Sequence, residues 1–217
     1  MKNSDICEII AVRHGETVAN KTGILQGQSD TPLNEIGIMQ AHAIAARLKK
    51  RHFDLAYTSD LNRAVATAEL ITANHPQLQL VKTPSLREWN LGELQGQPYT
   101  ELRIKYPDIL NAFKKDGEVP PIPGGENIED FQNRIGSFMD EIAKANPGKR
   151  ILFVSHGGAM QRMLKHTMGK TDIRNICPLS ANAGMSVFHY QNKQWRLITW
   201  NDTAHLEDIQ MHETLTF

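Results

Sequence analysis

The stretch Ile6-Cys7-Glu8-Ile9-Ile10-Ala11-Val12-Arg13-His14-Gly15-Glu16-Thr17 decides how this chain is read. Residues 6–12 are apolar and largely β-branched, interrupted only by Glu8, which is the pattern of a strand buried on both faces. The run stops at a cation, an imidazole and a glycine. A second run of the same kind, Ile151-Leu152-Phe153-Val154, stops at Ser155-His156-Gly157-Gly158. In an open α/β sheet, ligands bind beyond the carboxyl ends of the strands. If both runs lie in one sheet, two imidazoles meet at a single edge with Arg13 beside them. That combination predicts a phosphate site with a nucleophile in it.

The segments around these runs repeat a strand–loop–helix rhythm, which is βαβ in character. After a polar loop over 13–33, Asn34 is placed to cap a helix with apolar positions Ile38, Ala41, Ile44, Ala45 and Leu48. A short strand is predicted over 54–58, then a helix over 63–73 capped by Ser59 or Asp60, then a strand at 78–81. Residues 86–126 carry Gly92, Gly96, Pro98, Pro107 and Pro120-Pro121-Ile122-Pro123-Gly124-Gly125 and read as an irregular insertion that roofs the site. The spacing of Ile128, Phe131, Ile135, Phe138 and Ile142 predicts an amphipathic helix over 128–145, stopped by Pro147-Gly148. The strand at 150–155 is followed by a helix at 159–168. Residues 185–190 and 195–199, separated by Asn192-Lys193, predict a hairpin, and 202–217 a loose tail.

Length and composition set outer bounds. The chain has 217 residues, 40% of them hydrophobic, which suits one large domain spanning 1–217 with a substantial core. Lys+Arg and Asp+Glu are equal at 24 each, so no global field draws the chain to nucleic acid or to a membrane, and any hold on an anion must come from a local cluster. Cys7 and Cys177 are far apart and outside any CxxC pair, as expected of a reduced, cytoplasmic protein. The short N-terminal apolar run, broken by Glu8, does not match a signal peptide, and no stretch reaches the roughly 18 apolar residues of a membrane span. The nine histidines form no i,i+3 or i,i+4 pair and there is no HExxH or GxxxxGK[ST], so neither a metal site nor an ATP loop is predicted, and no cofactor.

The chemistry therefore falls to histidine, arginine and glutamate. A neutral imidazole attacks phosphorus with one nitrogen when its other nitrogen is fixed as a donor, and Gly15 lets backbone come close to the ring. A guanidinium grips two phosphate oxygens at once. His156, if protonated, balances charge growing on the transferred group, and the glycines after it leave helix N–H groups to face an anion. Arg63, one turn into a helix with small apolar neighbours, is a lone cation aimed at the strand ends. Glu88, beside Trp89 and near other anions, is the candidate proton donor to a leaving oxygen. Each segment alone also fits a plain turn or a solvated charge; together they converge on one site.

In order along the chain, the motifs are Arg13-His14-Gly15-Glu16-Thr17 with Asn20; Leu25-Gln26-Gly27; Asp30-Thr31-Pro32-Leu33-Asn34-Glu35-Ile36-Gly37; Ser59-Asp60-Leu61-Asn62-Arg63-Ala64 with Thr67; Glu88 with Gly92-Glu93; Pro123-Gly124-Gly125-Glu126; and Ser155-His156-Gly157-Gly158. This series resembles the histidine phosphatase superfamily, in the branch of the cofactor-dependent phosphoglycerate mutases and their phosphatase relatives. The resemblance implies a three-layer α/β/α fold with a mostly parallel sheet and a metal-independent enzyme. It also implies that His14 is phosphorylated, that Arg13, Arg63 and His156 hold the phosphoryl group, that Glu88 is the acid/base, and that Asn20, Gln26, Gly27 and the Gly157 amide line the phosphate pocket. Against the mutase pattern, there is no Arg-Arg pair between Glu88 and Pro123, Leu91 replaces a tyrosine, and Gly157-Gly158 replaces Gly-Asn. These departures favour a phosphatase of a small phosphorylated metabolite. Mutase-type phosphoryl transfer is the alternative, and an inactive phospho-ligand scaffold a third reading. Substrate and oligomeric state stay open at this level.

Overall fold

A computed structural model describes residues 5–115, 119–169 and 180–209. Strand β1, Cys7–Arg13, runs one residue further than the apolar pattern suggested, so Arg13 is its last residue. It is followed by helix α1 (Val18–Thr22), strand β2 (Ile24–Leu25), helix α2 (Glu35–Leu48), strand β3 (Leu55–Ser59), helix α3 (Asn62–Thr72) and strand β4 (Leu80–Thr83). The insertion contains β5 (Gln97–Pro98), α4 (Tyr99–Lys105) and α5 (Pro107–Lys115). Then come α6 (Ile128–Ala145), β6 (Arg150–Ser155), α7 (Gly157–Met168), β7 (Met185–Gln191) and β8 (Gln194–Asp202).

Six strands form one sheet in the order β4-β3-β6-β1-β7-β8. The pairings β4/β3, β3/β6 and β6/β1 are parallel, and β7 is antiparallel to both its neighbours. β1 is central, and Ile9, Ile10, Ala11 and Val12 are all buried. At ~1.5–3 kcal/mol for each fully buried large aliphatic side chain, this strand anchors the core. Helices α2 and α3 pack Ile44, Leu48, Ala68 and Ile71 on one face of the sheet. Helix α6 and helix α7 pack Phe131, Ile135, Met139 and Met163 on the other, completing three layers.

This layering positions the site. The chain leaves β1 toward α2 on one face and leaves the adjacent β6 toward α7 on the opposite face. The two connections diverge, and a crevice opens between the carboxyl ends of β1 and β6. Register pairs Arg13 with Ser155 across it, so His14 and His156 follow side by side.

Four sequence expectations change. The 13–33 loop holds a helix: α1 starts at a Thr17–Asn20 capping box and ends at Gly23 in the left-handed region (φ 68°). Such a one-and-a-half-turn helix is too short for a periodicity signal. Within the described part of the 86–126 insertion, α4 and α5 are regular, and Leu25, Leu94, Leu102, Ile109, Leu110 and Ile122 form a third apolar cluster with them. The cap of α3 is Leu61, not Ser59 or Asp60: the Ser59 hydroxyl accepts from the Leu61 N–H at 3.3 Å and lies 2.8 Å from His156 Nε2, while Asp60 pairs with Arg87. The tail is ordered past Asn201, since β8 runs to Asp202 and Leu206 inserts into the core; residues 210–217 lie outside the described residues. The hairpin is as expected, with Asn192 and Lys193 at φ 52° and 61°, the paired positive values of a tight type I′ turn. Cys7 is buried in β1, and burial pushes its thiol up to about 11; Cys177 lies outside the described residues.

Candidate active site

The two imidazoles meet. The rings of His14 and His156 lie 5.2 Å apart between centroids and inclined at 60°, and both side chains are buried. His14 Nδ1 lies 2.7 Å from the Gly15 carbonyl oxygen. A carbonyl only accepts, so Nδ1 carries the hydrogen and Nε2 keeps its lone pair. Burial, then the charges of Arg63 and Arg13, hold His14 well below the ordinary histidine value, so it is neutral at pH 7. Its Nε2 lone pair can therefore attack an electrophile with no base needed to deprotonate the ring first.

His156 departs from the expectation of a protonated ring. Arg63 Nε donates to its Nδ1 at 3.2 Å, and a guanidinium can only donate, so Nδ1 is unprotonated. Nε2 then donates to Ser59 Oγ at 2.8 Å. Burial first, and Arg63 second, hold this ring well below its ordinary value too. His156 is a neutral, doubly anchored ring that fixes Arg63.

The positive charge comes from the two arginines. Arg63 is only 1% exposed, and besides His156 it donates to the carbonyls of Ser29 at 2.8 Å and Gly27 at 2.7 Å. Gly27 thus contributes a carbonyl that orients the cation. Arg13 donates to the Ser180 carbonyl, while its Nε is buried without a hydrogen-bond partner. Burial brings both guanidinium groups down to about 10, opposed by the nearby charge of Glu88, so both remain cationic at neutral pH. A Cβ on Gly157 would sit 3.2 Å from Arg13 Cζ, so the glycine gives this guanidinium its seat.

Glu88 occupies the start of α7. Its Oε2 accepts from the Gly158 N–H at 2.9 Å and its Oε1 from its neighbour Trp89 N–H at 2.9 Å. The glycine-rich helix start thus faces a carboxylate of the protein itself, where its partial positive charge is favourable. The anionic company expected for Glu88 is replaced by these amides and by the two arginines. Nor does Arg87 pair with it: Arg87 makes a two-pronged ion pair with Asp60, 2.7 Å on each branch.

Sequence reasoning missed the residues that hold this arrangement. Arg134, on α6, pairs with Glu126 through two 2.8 Å bonds. It also donates to the carbonyls of Arg87 at 3.0 Å and Glu88 at 3.2 Å. The backbone of Glu126 accepts from Trp89 Nε1 at 2.8 Å. The Pro-Gly-Gly-Glu motif therefore fixes the segment carrying Glu88, with Gly92 (φ 47°) packed against Pro123. Gly15 likewise has a different partner from the one expected: a Cβ there would lie 2.3 Å from the Gly37 carbonyl oxygen, and one on Gly37 would lie 2.0 Å from that of Glu16. The glycines of two separate motifs make one close backbone contact that binds the His14 loop to α2. Buried Glu16 adds a bond from Asn34 Nδ2 at 2.6 Å, and Asn182 donates to the His14 carbonyl at 3.0 Å. The signal for Arg134 was its place on the apolar side of a polar-looking helix, next to Phe131, whose ring it covers at 5.0 Å.

Arg13, His14, Asn20, Gln26, Gly27, Arg63, Glu88 and Gly157 all line one cavity. The exception among the sequence-derived residues is His156, which backs the cavity wall through Arg63. Among the described residues no three His, Cys, Asp or Glu side chains form a metal-ligand group, and no helix is long and apolar enough to cross a membrane.

An enzyme fold with a buried imidazole pair between two arginines, at the diverging strands of a parallel sheet, defines the class. The chain belongs to the histidine phosphatase superfamily, branch 1, whose model matches residues 9–203. It is 35% identical over 210 residues to a metal-independent phosphoserine phosphatase of Arabidopsis thaliana, covering 95% of this chain and 86% of the relative. A probable phosphoglycerate mutase of Yersinia pestis is 34% identical over 205 residues, covering 92% and 95%. Among solved structures, a mycobacterial glucosyl-3-phosphoglycerate phosphatase complexed with VO3 superposes with a TM-score of 0.81 at 30% identity, covering 90% of this chain and 99% of the other.

Proposed function

We propose that this protein is a metal-independent phosphomonoester phosphatase that works in the cytoplasm on a small phosphorylated metabolite through a phosphohistidine at His14. The observation that carries the reading is the neutral, Nδ1-anchored His14 beside two buried cationic arginines. In the first step the carboxyl of Glu88 takes up a proton from solvent as the substrate's phosphate dianion comes to lie beside it. His14 Nε2 forms a bond to phosphorus while the ester P–O bond breaks, and the leaving oxygen takes that proton from Glu88. Arg13, Arg63 and the Gly157 amide neutralise the oxygens of the transferred group. In the second step water attacks the phosphohistidine, Glu88 takes its proton, and phosphate leaves with His14 restored. Asn20 and Gln26 shape the pocket floor, and the 86–126 insertion supplies specificity.

The likeness to a probable mutase raises transfer to a second hydroxyl as the other outcome. Leu91, buried against the cavity, gives no hold on a second anionic group, and water is the simpler acceptor. Rapid quenching with a labelled phosphate ester tests the scheme. Label should appear on the protein as an acid-labile, base-stable adduct, absent from His14→Ala, with free phosphate as product. An isomerised phosphate ester as the main product would establish the mutase instead. Turnover by His14→Ala above ~1% of the parent would end the phosphohistidine scheme.

A further inference from the structure

Beyond the phosphate end, the cavity is walled by Ile24, Trp89, Leu91, Phe113, Ile128 and Phe131. The aromatic part is packed ring on ring: Trp89 stacks on Phe131 at 5.9 Å and 12°, and tilts onto Phe113 at 5.0 Å. Trp89 has already given its indole N–H to the Glu126 carbonyl, so toward the cavity it offers ring surface and no donor. The Gln26 side-chain oxygen is likewise occupied by Thr17 and Thr31. Of the described cations in the lining, Arg13 and Arg63 belong to the phosphate end; beyond it the polar side chains are Gln161 and Arg162, both on α7, and Arg162 already has an interaction within the protein. The lining carboxylate is Glu88, which repels a second carboxylate on the substrate.

We infer that the preferred substrate is a phosphomonoester of an apolar alcohol, alkyl or aryl, and that amino-acid and hydroxy-acid phosphates are poor substrates. The assignment rests on the phosphatase reading and deepens it. It sets this chain apart from relatives whose names specify phosphoserine or glucosyl-3-phosphoglycerate.

Two series on the wild-type protein test it. Calorimetry with ethyl-, butyl- and hexylphosphonate, which cannot be hydrolysed, reads the wall without catalysis. Phosphate release from the corresponding alkyl phosphates, whose leaving alcohols have similar acidity, reads it in turnover. Affinity and kcat/KM should each rise about fourfold per methylene until the wall is covered. Phe113→Ala should flatten both slopes, and phosphoserine should fall at least ~10-fold below hexyl phosphate. A flat phosphonate series, or phosphoserine equal to or better than hexyl phosphate, overturns the inference while leaving the phosphatase reading intact. A rising phosphonate series with no ester hydrolysed would remove the phosphatase reading and leave the apolar subsite standing.

Discussion

Replacing Gly158 by alanine separates the placement of Glu88 from the stability of the fold. The new Cβ would lie 2.3 Å from Glu88 Oε1 and 3.1 Å from Cδ. Ordinary contact begins about 1 Å further out, so the carboxylate must withdraw by ~1 Å, and a displacement of that size costs ~10²-fold when it moves a reacting group. The obstacle is the free end of a half-buried side chain, so the backbone need not shift. Gly158 lies in the first turn of α7, where alanine gains up to ~1 kcal/mol of helix propensity. Loss of the Gly158 N–H bond to the carboxylate offsets this by ~1.5–3 kcal/mol, leaving the melting temperature within a few degrees of the parent. The assay compares kcat/KM on an alkyl phosphate, which needs its leaving oxygen protonated, with that on p-nitrophenyl phosphate, which needs this far less. The alkyl ester should lose ~100-fold and the aryl ester ~10-fold or less. Equal losses on both, or an alkyl rate within threefold of the parent, would show that the Glu88 position has nothing to do with protonating the leaving group.

Burial and the two arginines also predict a pH response. A histidine lowered on folding contributes stability that is present above its unfolded value, near 6.5, and is lost as pH falls below it, because the unfolded chain then binds the proton first. Nitrogen chemical shifts of labelled histidine should show His14 and His156 both neutral at pH 6; an imidazolium signal from either would refute the assignment. Arg134→Lys cannot reproduce the two-pronged grip on Glu126 together with the carbonyl bonds of residues 87 and 88; it should lower stability by ~2 kcal/mol in denaturant melts and kcat by ~10-fold. Asp140 is held at about 2 by His166, Trp195 and Lys144, against a desolvation cost. Its stabilisation is complete above the ordinary carboxylate value and disappears as pH falls from there toward 2, so Asp140→Asn should flatten the acid limb of the stability curve in that window. A variant curve parallel to the parent's would show that the cluster contributes nothing.

The phosphate end was legible because its parts are local. A both-faces-buried strand has to be apolar throughout, so residues 7–13 and 150–155 announce themselves, and the histidine after each run is fixed to the sheet edge by chain connectivity alone. Arg63 and Glu88 could be picked out by residue type and context, and the structure brings them into the same cavity. The short helix at 18–22 and the insertion helices were not legible. The first is too brief to show a period, and the second pair buries its side chains in a cluster separate from the main core.

By itself, the sequence determined the central strands, their order of chemistry and the identities of the groups at their ends, since periodicity and residue type act over a few neighbouring positions. The tertiary structure alone decided the protonation of His156, the seat of Glu88 on the Gly158 amide and the Gly15–Gly37 contact. Each of these depends on a partner distant in the chain, Arg63, α7 or α2, and a hydrogen bond or a backbone approach of that kind is set by distances that exist only after the layers have packed.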